Sequence, residues 1–269
     1  MKIVFLGGGN MANALIGGML KRGFGVDQIE VVDPGLDSRN KLAAAYAVTC
    51  HASADGAPAA PDVLVLAVKP QQMKEAVAPL VGKLGNALVI SIAGLDMAAL
   101  SRWLGGHRKI VRCMPNTPAL IGAGITGLCA LSEVNASERE TADRVLRAVG
   151  TTVWIDDEVK MDAVTAISGS GPAYVFLFIE ALQQAAAEFG FTDQQGRQLA
   201  IETVQGAAAL AAQSSDPASL LRERVTSKGG TTEAALRVMM ESGVREGIVA
   251  GCKAAEARGK ELGNILGEG

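Results

Sequence analysis

The chain has 269 residues and a formal net charge of −3, and it is long enough to bury one large core or two smaller ones. This charge gives no basic field, which argues against a nucleic acid or an anionic membrane surface as a partner. Two histidines and four scattered cysteines offer no metal-ligand spacing, so we expect no metal site and four free thiols.

No segment has the pattern that we expect of a signal peptide or of a membrane span. Met1 and Lys2 are followed by only four apolar residues before the first glycine, and the longest apolar run, residues 172–179, ends at Glu180. A helical span needs about 20 predominantly apolar residues. The sequence therefore predicts a cytoplasmic protein without a membrane partner.

The first predicted element is a buried strand over Ile3 to Leu6, because this run is short, apolar and rich in β-branched residues. Three glycines follow it, and a helical pattern follows the glycines. In this order Gly7 permits a tight turn, Gly9 lets a pyrophosphate approach the backbone, and Ala12 lets the helix pack closely on the strand. The N–H groups at the start of the helix would hold the phosphate. The pattern predicts a dinucleotide-binding site of the Rossmann type.

The second predicted strand, residues 29–32, ends at Asp33, about 20 residues beyond the glycine turn, where a carboxylate can accept the adenosine ribose hydroxyls. Asp33 can equally be a turn residue, because a proline and a glycine follow it. Ser38 and Arg39 could instead hold a 2′-phosphate. The choice between NADH and NADPH therefore stays open.

Further apolar runs continue the same alternation of strands and helices along the chain. We predict strands at residues 63–68, 88–90, 110–113, 124–129 and 152–155. This alternation is typical of a parallel sheet with right-handed crossovers, whose ligands bind beyond the carboxyl ends of the strands. Four polar residues fall at such ends: Asp33, Lys69, Ser91 and Asn116. Each could also be a solvated, capping or turn residue.

After the last predicted strand the chain reads as helical to its end. We therefore predict a dinucleotide-binding domain over residues 1–157 and an all-helical domain over residues 158–269. Residues 168–174 place glycines and a proline between helical flanks, where they cost about 1 and 3 kcal/mol each relative to alanine, so we expect a kink or a close backbone approach there. The helices that follow are apolar on all sides, and we expect a second subunit to cover them.

A second polar cluster lies between two helical stretches of the predicted helical domain. Ser227, Thr231 and Thr232 surround two glycines just before a helix. A helix N-terminus with several hydroxyls suits a small carboxylate, and an ordinary helix cap is the alternative interpretation.

Five segments together resemble the pyrroline-5-carboxylate reductases. They are residues 7–11, 67–70, 112–118, 168–174 and 225–236. The resemblance implies the last step of proline synthesis, the reduction of the cyclic imine 1-pyrroline-5-carboxylate to L-proline with NADPH or NADH. It also implies an N-terminal Rossmann-type doubly wound α/β sheet followed by an all-α domain that forms dimers, from which larger oligomers are built.

The resemblance also implies roles for individual residues. Thr232 should hydrogen-bond the imine nitrogen, and Thr232 and Ser227 are the catalytic candidates. Ser227, Gly229, Gly230 and Thr231 should hold the substrate carboxylate. The substrate-binding candidates as a whole are Ser227, Lys228, Gly229, Gly230, Thr231 and Thr232. The cofactor-binding candidates are Gly7, Gly8, Gly9, Asn10, Met11, Ala12, Asp33, Arg39, Ala67, Val68, Lys69, Pro70, Ser91, Ala93, Asn116, Ser170 and Gly171.

No histidine lies in these motifs, so we expect no histidine acid. Hydride transfer is the chemistry of the cofactor, and a substrate that arrives as an iminium needs no strong acid. Three alternatives stay open: an imine reductase of broader scope, an oxidoreductase like the β-hydroxyacid dehydrogenases, and a non-catalytic dinucleotide sensor. The second should carry a lysine base on the long helix, whereas Lys160 precedes that helix here.

Overall fold

A computed structural model describes residues 1–267 of the chain and contains two compact units. The first unit consists of Met1–Ser170 together with the segment from Ala255 onward, and the second is Gly171–Ala254. These units are defined by packing, whereas a domain must also be able to fold alone. The predicted domain boundary between residues 157 and 158 therefore stays a prediction.

The first unit is built on one mostly parallel sheet. Among residues 1–267 its strands are β1 Ile3–Leu6, β2 Ile29–Val32, β3 Thr49–His51, β4 Val63–Leu66, β5 Leu88–Ser91, β6 Ile110–Met114, β7 Gly124–Ala130 and β8 Gly150–Trp154. Their order across the sheet is β3-β2-β1-β4-β5-β6-β7-β8. The predicted doubly wound α/β fold is confirmed.

Two details of the sheet differ from the prediction. The pair β6–β7 is antiparallel, because the connection between them is too short for the crossover helix that parallel strands require. The short edge strand β3 was not predicted. Its residues are exposed or only half-buried, so it lacks the apolar run that marks the other strands.

Helices cover both faces of this sheet. They are α1 Asn10–Lys21, α2 Leu36–Tyr46, α3 Met73–Val77, α4 Met97–Trp103, α5 Ala136–Leu146 and α6 Met161–Val164, and a π-helical turn, Thr165–Gly169, follows α6. In β1, Ile3 and Phe5 pack into a cluster with α1, whereas Val4 and Leu6 pack with α3 on the opposite face. A strand that is buried on both faces reads as a continuous apolar run, which is why β1 could be predicted.

The strand order reverses at β1, which pairs with β2 on one side and with β4 on the other. In this register Leu6 lies opposite both Val32 and Leu66, so these three strands end at the same level. The residues that follow them, Gly7, Asp33 and Ala67, consequently share one edge of the sheet. Open α/β sheets bind their ligands at such a reversal.

The second unit consists of helices joined by short loops. Its helices are α7 Gly171–Glu188, α8 Asp193–Gln213, α9 Ala218–Arg224, α10 Thr231–Glu241 and the first part of α11 Val244–Gly267. Large apolar side chains on α7 and α8 are exposed in the single chain, among them Phe176 at 59%, Leu177 at 67% and Leu210 at 58%. This unit does not cover its own apolar surface.

One helical stretch, Glu158–Glu188, is long and apolar enough to cross a membrane by length and composition alone. The expectation that no segment reaches this level is wrong. It relied on uninterrupted apolar residues, whereas a stretch with a mean hydropathy of 1.3 also accommodates single charges such as Glu180. An apolar helix of this length is equally typical of a helix that packs against another protein surface.

Candidate functional site

The glycine turn between β1 and α1 leaves the start of α1 open. Gly7 has φ 101°, and a Cβ on it would lie 2.8 Å from the carbonyl of Ala67, so only glycine fits. A Cβ on Gly9 would have no heavy atom within 4 Å. Gly9 caps α1 without a side-chain hydrogen bond, and the first turn of α1 carries no acid. The N–H groups there are left for an anion.

Asp33 lies directly beside this turn. Its Oδ2 accepts a hydrogen bond from the N–H of Gly8 at 2.7 Å, and its Oδ1 accepts one from the N–H of Gly35 at 2.7 Å. The hydroxyl of Ser38 donates to the carbonyl oxygen of Gly8 at 2.9 Å. The peptide groups of Gly8 are thus held on both sides by residues that follow β2. The bond to Gly35 fits the turn interpretation of Asp33.

Arg39 holds the loop between β2 and α2 through hydrogen bonds to its backbone. Its Nη1 donates to the carbonyl oxygens of Asp33 at 2.7 Å and of Pro34 at 2.8 Å. The sequence hypothesis offered Arg39 as a partner of a 2′-phosphate. Here part of the guanidinium holds the backbone between β2 and α2.

The ends of β4 and β5 complete this edge of the sheet. The N–H of Ala67 donates to the carbonyl oxygen of Leu6 at 2.8 Å, and a Cβ on Gly7 would also lie 2.9 Å from Cγ1 of Val68. Lys69 and Pro70 then begin a short 3₁₀ turn. At the end of β5, Ser91 is fully buried and Ala93 is 6% exposed. These predicted cofactor residues lie on the edge that carries the glycine turn.

Asn116 uses its side-chain amide within the protein. Its Nδ2 donates to the carbonyl oxygen of Ser168 at 3.1 Å, and its Oδ1 accepts from the N–H of Ile125 at 3.0 Å. Asn116 therefore joins the start of β7 to the π-helical turn, which agrees with a capping or turn role for its side chain.

The π-helical turn falls on the glycine-rich motif. The N–H of Ser170 donates to the carbonyl oxygen of Thr165 at 2.8 Å, five residues back, and a Cβ on Gly169 would lie 2.8 Å from Cε of Met114. This neighbour is the end of a flexible side chain, so the close backbone approach expected in this motif stays a prediction. Single π turns inside helices are frequent at functional sites. Ser170 ends the first unit, and Gly171 begins α7.

A buried ion cluster beside this segment was missed at the sequence level. Arg112 of β6 is 6% exposed, and its two Nη atoms lie 3.2 Å from carboxylate oxygens of Glu158 and of Asp162. The same Glu158 oxygen accepts the N–H of Met97 at 2.7 Å. The cluster thus ties β6 to the start of α4, to the 3₁₀ turn at Glu158 and to α6. The sequence feature that could have indicated this cluster is an arginine inside an otherwise apolar strand.

The second polar cluster lies at the start of α10. Gly230 caps this helix without a side-chain hydrogen bond, and Gly229 has φ 74°. The N–H of Gly230 donates to the carbonyl oxygen of Ser227 at 3.0 Å. Thr231 and Thr232 open the helix, where Thr232 is half-buried and its neighbours are mostly exposed. The hydroxyl-bearing helix start expected from the sequence is present.

Glu233 was not singled out from the sequence. Its Oε2 accepts the N–H of Gly229 at 2.6 Å, so a carboxylate of the helix itself occupies part of the loop. The sequence feature that could have indicated Glu233 is its position in the first turn of a helix, where an acid is stabilised by the helix dipole.

The histidines lie outside both clusters. Nε2 of His51 is 2.6 Å from a carboxylate oxygen of Glu30, and Nε2 of His107 is 2.8 Å from the carbonyl oxygen of Ala87. Burial raises the pKa of the Cys113 thiol well above its usual range, so this thiol keeps its proton. Cofactor candidates up to Ser170 belong to the first unit, and Gly171 and the substrate candidates belong to the second.

Comparison with known proteins covers both parts of the chain. Residues 2–94 match a family model described as NADP oxidoreductase coenzyme F420-dependent, and residues 158–262 match one described as pyrroline-5-carboxylate reductase dimerisation. A pyrroline-5-carboxylate reductase of Pseudomonas aeruginosa is 44% identical, over 99% of this chain and 98% of its own.

Solved structures agree with these matches. A pyrroline-5-carboxylate reductase from Coxiella burnetii is similar with a TM-score of 0.92 and 39% identity, over 97% of this chain and 98% of that one. The Plasmodium falciparum enzyme with NADP bound is similar with a TM-score of 0.87 and 29% identity, over 98% of both chains. The resemblance predicted from the motifs is confirmed, and this chain belongs to the pyrroline-5-carboxylate reductase family of NAD(P)H-dependent oxidoreductases.

Proposed function

We propose that this protein reduces 1-pyrroline-5-carboxylate to L-proline in the cytoplasm, as the last step of proline biosynthesis. The reaction adds one hydride to the imine carbon and one proton to the imine nitrogen, and it converts NADPH or NADH to NADP⁺ or NAD⁺. The observation that carries the proposal is the 44% identity to a reductase of this name over 99% of the chain.

The residues at the glycine turn fit a dinucleotide. The open space at Gly9 and the uncapped start of α1 suit a pyrophosphate, which needs close backbone approach and free N–H donors. When bound, the cofactor supplies the hydride. In this proposal the glycine turn holds the phosphates, and Asp33 and Arg39 lie at the adenosine ribose.

The remaining cofactor candidates are assigned to the nicotinamide half. Lys69, Pro70, Ser91 and Asn116 would lie near its ribose, and Ser170 and Gly171 near its ring. The Asn116 amide is already bonded to the Ser168 carbonyl oxygen and to the Ile125 N–H, so in this proposal it acts by fixing the π-helical turn that leads to Ser170.

At the other helix start, residues 227–231 would hold the substrate carboxylate and Thr232 would hydrogen-bond the imine nitrogen. The uncapped N-terminus of α10 favours an anion, and Lys228 adds a positive charge to the same loop. An iminium substrate arrives with its proton, so the half-buried Thr232 hydroxyl has only to orient the nitrogen. Ser227 is the second polar group at this position.

We further propose that two copies associate through the second unit, as a homodimer or as a larger oligomer built from dimers. The exposed apolar side chains of α7 and α8 support this, since a soluble chain rarely leaves such a surface uncovered. Light scattering should give at least twice the mass of one chain. A stable monomer would contradict this part of the proposal.

The experiment that tests the reaction incubates the purified protein with 1-pyrroline-5-carboxylate and either reduced cofactor, and identifies the product on a chiral column. L-proline is expected. Rapid reduction of 1-pyrroline, which lacks the carboxylate, would favour a broader imine reductase. Cofactor binding without turnover on any imine would favour a dinucleotide sensor.

A further inference from the structure

A buried guanidinium holds the segment that leads into the π-helical turn. Arg112 of β6 is 6% exposed, and its Nη1 lies 3.2 Å from Oε1 of Glu158 while its Nη2 lies 3.2 Å from Oδ1 of Asp162. The same Glu158 oxygen also accepts the N–H of Met97, at the start of α4. One arm of the guanidinium therefore reaches a carboxylate that it shares with α4, whereas the other arm reaches a carboxylate of α6.

The α6 carboxylate lies directly before the π-helical turn, because α6 passes into this turn without a loop. The Thr165 hydroxyl donates to the carbonyl oxygen of Met161 at 3.0 Å, and the Thr165 carbonyl oxygen accepts the N–H of Ser170 at 2.8 Å. Hydrogen bonds therefore connect the turn of α6 that carries Asp162 to Ser170. A displacement of Asp162 would move Ser170 with it.

One side of β6 and of the residues after it contacts this whole segment. Arg112, Met114 and Asn116 are two residues apart, so their side chains point to the same side of the extended chain. Met114 lies against Gly169, and Asn116 donates to the carbonyl oxygen of Ser168. These three side chains form a template for the turn, on which Arg112 fixes the end nearest α6.

Stability alone gives a weak reason for a buried ion cluster. Replacing such a cluster by well-packed apolar side chains is often neutral or stabilising, because charges lose their hydration on burial. A guanidinium, however, is a planar fork whose donors point in fixed directions, so it can hold two carboxylates at defined places. The cluster is therefore better suited to fixing a position than to adding stability.

We propose that Arg112 and Asp162 are positioning residues for hydride transfer, because they fix the π-helical turn that places Ser170 beside the nicotinamide. The inference deepens the proposed function and rests on one part of it, the position of Ser170 at the ring. Neither positioning residue has to contact the cofactor or the imine. Hydride transfer needs the reacting atoms about 3–3.5 Å apart, and a misplacement of about 1 Å can cost about a hundredfold in rate.

The test compares Asp162→Ala with Glu158→Ala, which remove the two partners of the same guanidinium. Glu158→Ala removes two of the hydrogen bonds described above, to Arg112 and to Met97, and Asp162→Ala removes one. A purely structural role therefore predicts the larger loss for Glu158→Ala in every property. The positioning role predicts the larger loss of kcat for Asp162→Ala, by about tenfold or more, with an unchanged dissociation constant for the reduced cofactor.

Four measurements on each variant separate these two roles. Urea denaturation gives the stability, calorimetry gives the dissociation constant of NADPH or NADH, and steady-state kinetics with 1-pyrroline-5-carboxylate on the folded variants give kcat. The fluorescence of the bound reduced cofactor, excited at the nicotinamide, reports the surroundings of the ring without any turnover. In Asp162→Ala this emission should shift toward that of the free cofactor, and in Glu158→Ala it should stay that of the unmodified protein.

A second pair of variants keeps the comparison available where an alanine variant does not fold. Asp162→Asn and Glu158→Gln keep the side-chain shape and an acceptor oxygen, and they lose only the charge. The same order is expected, with a smaller loss of kcat in Asp162→Asn than in Asp162→Ala.

A larger loss of kcat and of the emission change at residue 162, against the order of the stabilities, supports the inference. Losses that follow stability at both positions overturn it and leave Arg112 as a structural residue only. An unmodified protein that binds a reduced cofactor but reduces no 1-pyrroline-5-carboxylate contradicts the proposed reaction alone, and the emission then decides the inference. Failure to bind either cofactor overturns both.

Discussion

The starts of α1 and α10 are built alike and are supported differently. Both helices begin after a glycine cap, at Gly9 and Gly230, and neither cap makes a side-chain hydrogen bond. In the first, residues that follow β2 hold the glycine turn from outside the helix. In the second, Glu233 of the helix itself holds the loop through the N–H of Gly229.

In both helix starts a carboxylate accepts the N–H of the glycine before the cap, and the two sites differ in where that carboxylate comes from. Asp33 reaches the turn before α1 from the end of β2, and the first turn of α1 itself has no acid, whereas Glu233 lies in the first turn of α10. At α10 the carboxylate of Glu233 opposes an incoming carboxylate while it orders the loop that should hold it. We therefore expect variants to affect fold and cofactor affinity at the first site, and substrate affinity and turnover at the second.

The largest expected effect concerns the frame of the first site. Arg112→Met leaves Glu158 and Asp162 without their buried cation, and breaking a buried ion pair in this way costs about 3–5 kcal/mol of stability. Urea denaturation of the whole protein measures it. The control is Arg108→Met, because Arg108 pairs with Glu133 at the surface, where such a pair is worth at most about 1 kcal/mol. Equal losses in the two variants would contradict the buried-cluster account.

At the second site, Thr232→Ala removes the proposed hydrogen bond to the imine nitrogen. We expect kcat to fall by about a hundredfold, because the iminium nitrogen loses the hydroxyl that orients it, with an unchanged dissociation constant for NADPH. Thr226→Ala is the control, since the Thr226 hydroxyl donates to the carbonyl oxygen of Arg222 at 2.6 Å in the same segment. Turnover that survives Thr232→Ala would remove this residue from the mechanism.

Substitution of two glycines of the first site should affect different properties, the stability of the fold at Gly7 and the affinity for a dinucleotide at Gly9. Gly7→Ala forces a side chain into a position with φ 101° and 2.8 Å from the Ala67 carbonyl, so stability should fall by about 1–3 kcal/mol. Gly9→Ala meets open space, so the fold should persist while dinucleotide affinity falls on the order of tenfold, about 1.4 kcal/mol. Melting temperatures and binding constants of both variants test this, and a folded Gly9→Ala with full affinity would argue against a phosphate at that position.

The smallest expected effect tests the internal anion of the second site. Glu233→Gln keeps an acceptor for the N–H of Gly229 and removes the charge, so KM for 1-pyrroline-5-carboxylate should fall by the equivalent of about 0.3–1 kcal/mol. Glu233→Ala removes the acceptor as well, and KM should rise. Steady-state kinetics distinguish the two variants. A fall in KM in both would show that the hydrogen bond from the Gly229 N–H to Glu233 does not order the loop.

Sequence reasoning was successful where a function needs neighbouring residues. The glycine turn could be predicted because strand, glycines and helix follow one another directly, and the start of α10 because its hydroxyls and glycines are adjacent. The partners of Arg112 could not, since they lie 46 and 50 residues along the chain and only the fold brings them together. The strand β3 was missed because its residues are too exposed to give an apolar pattern.

For Asp33 the sequence predicted two roles without choosing between them. Its position after β2 is consistent with a ribose contact and with a turn. The structure shows hydrogen bonds to the N–H groups of Gly8 and Gly35, which confirm the turn role and leave the ribose contact a prediction. Equilibrium binding of NADH and of NADPH to the unmodified protein tests whether the Asp33 carboxylate also receives a ribose.

The most direct test of the proposed reaction follows the hydride itself. The purified protein is given 1-pyrroline-5-carboxylate with NADPH or NADH that carries deuterium at C4, and the product is analysed by mass spectrometry and NMR. We predict L-proline with one deuterium on the ring carbon that was double-bonded to nitrogen, from the cofactor labelled on the face that is transferred. Proline without deuterium from either labelled face, or no proline from protein that binds the cofactor, would contradict hydride transfer to this imine.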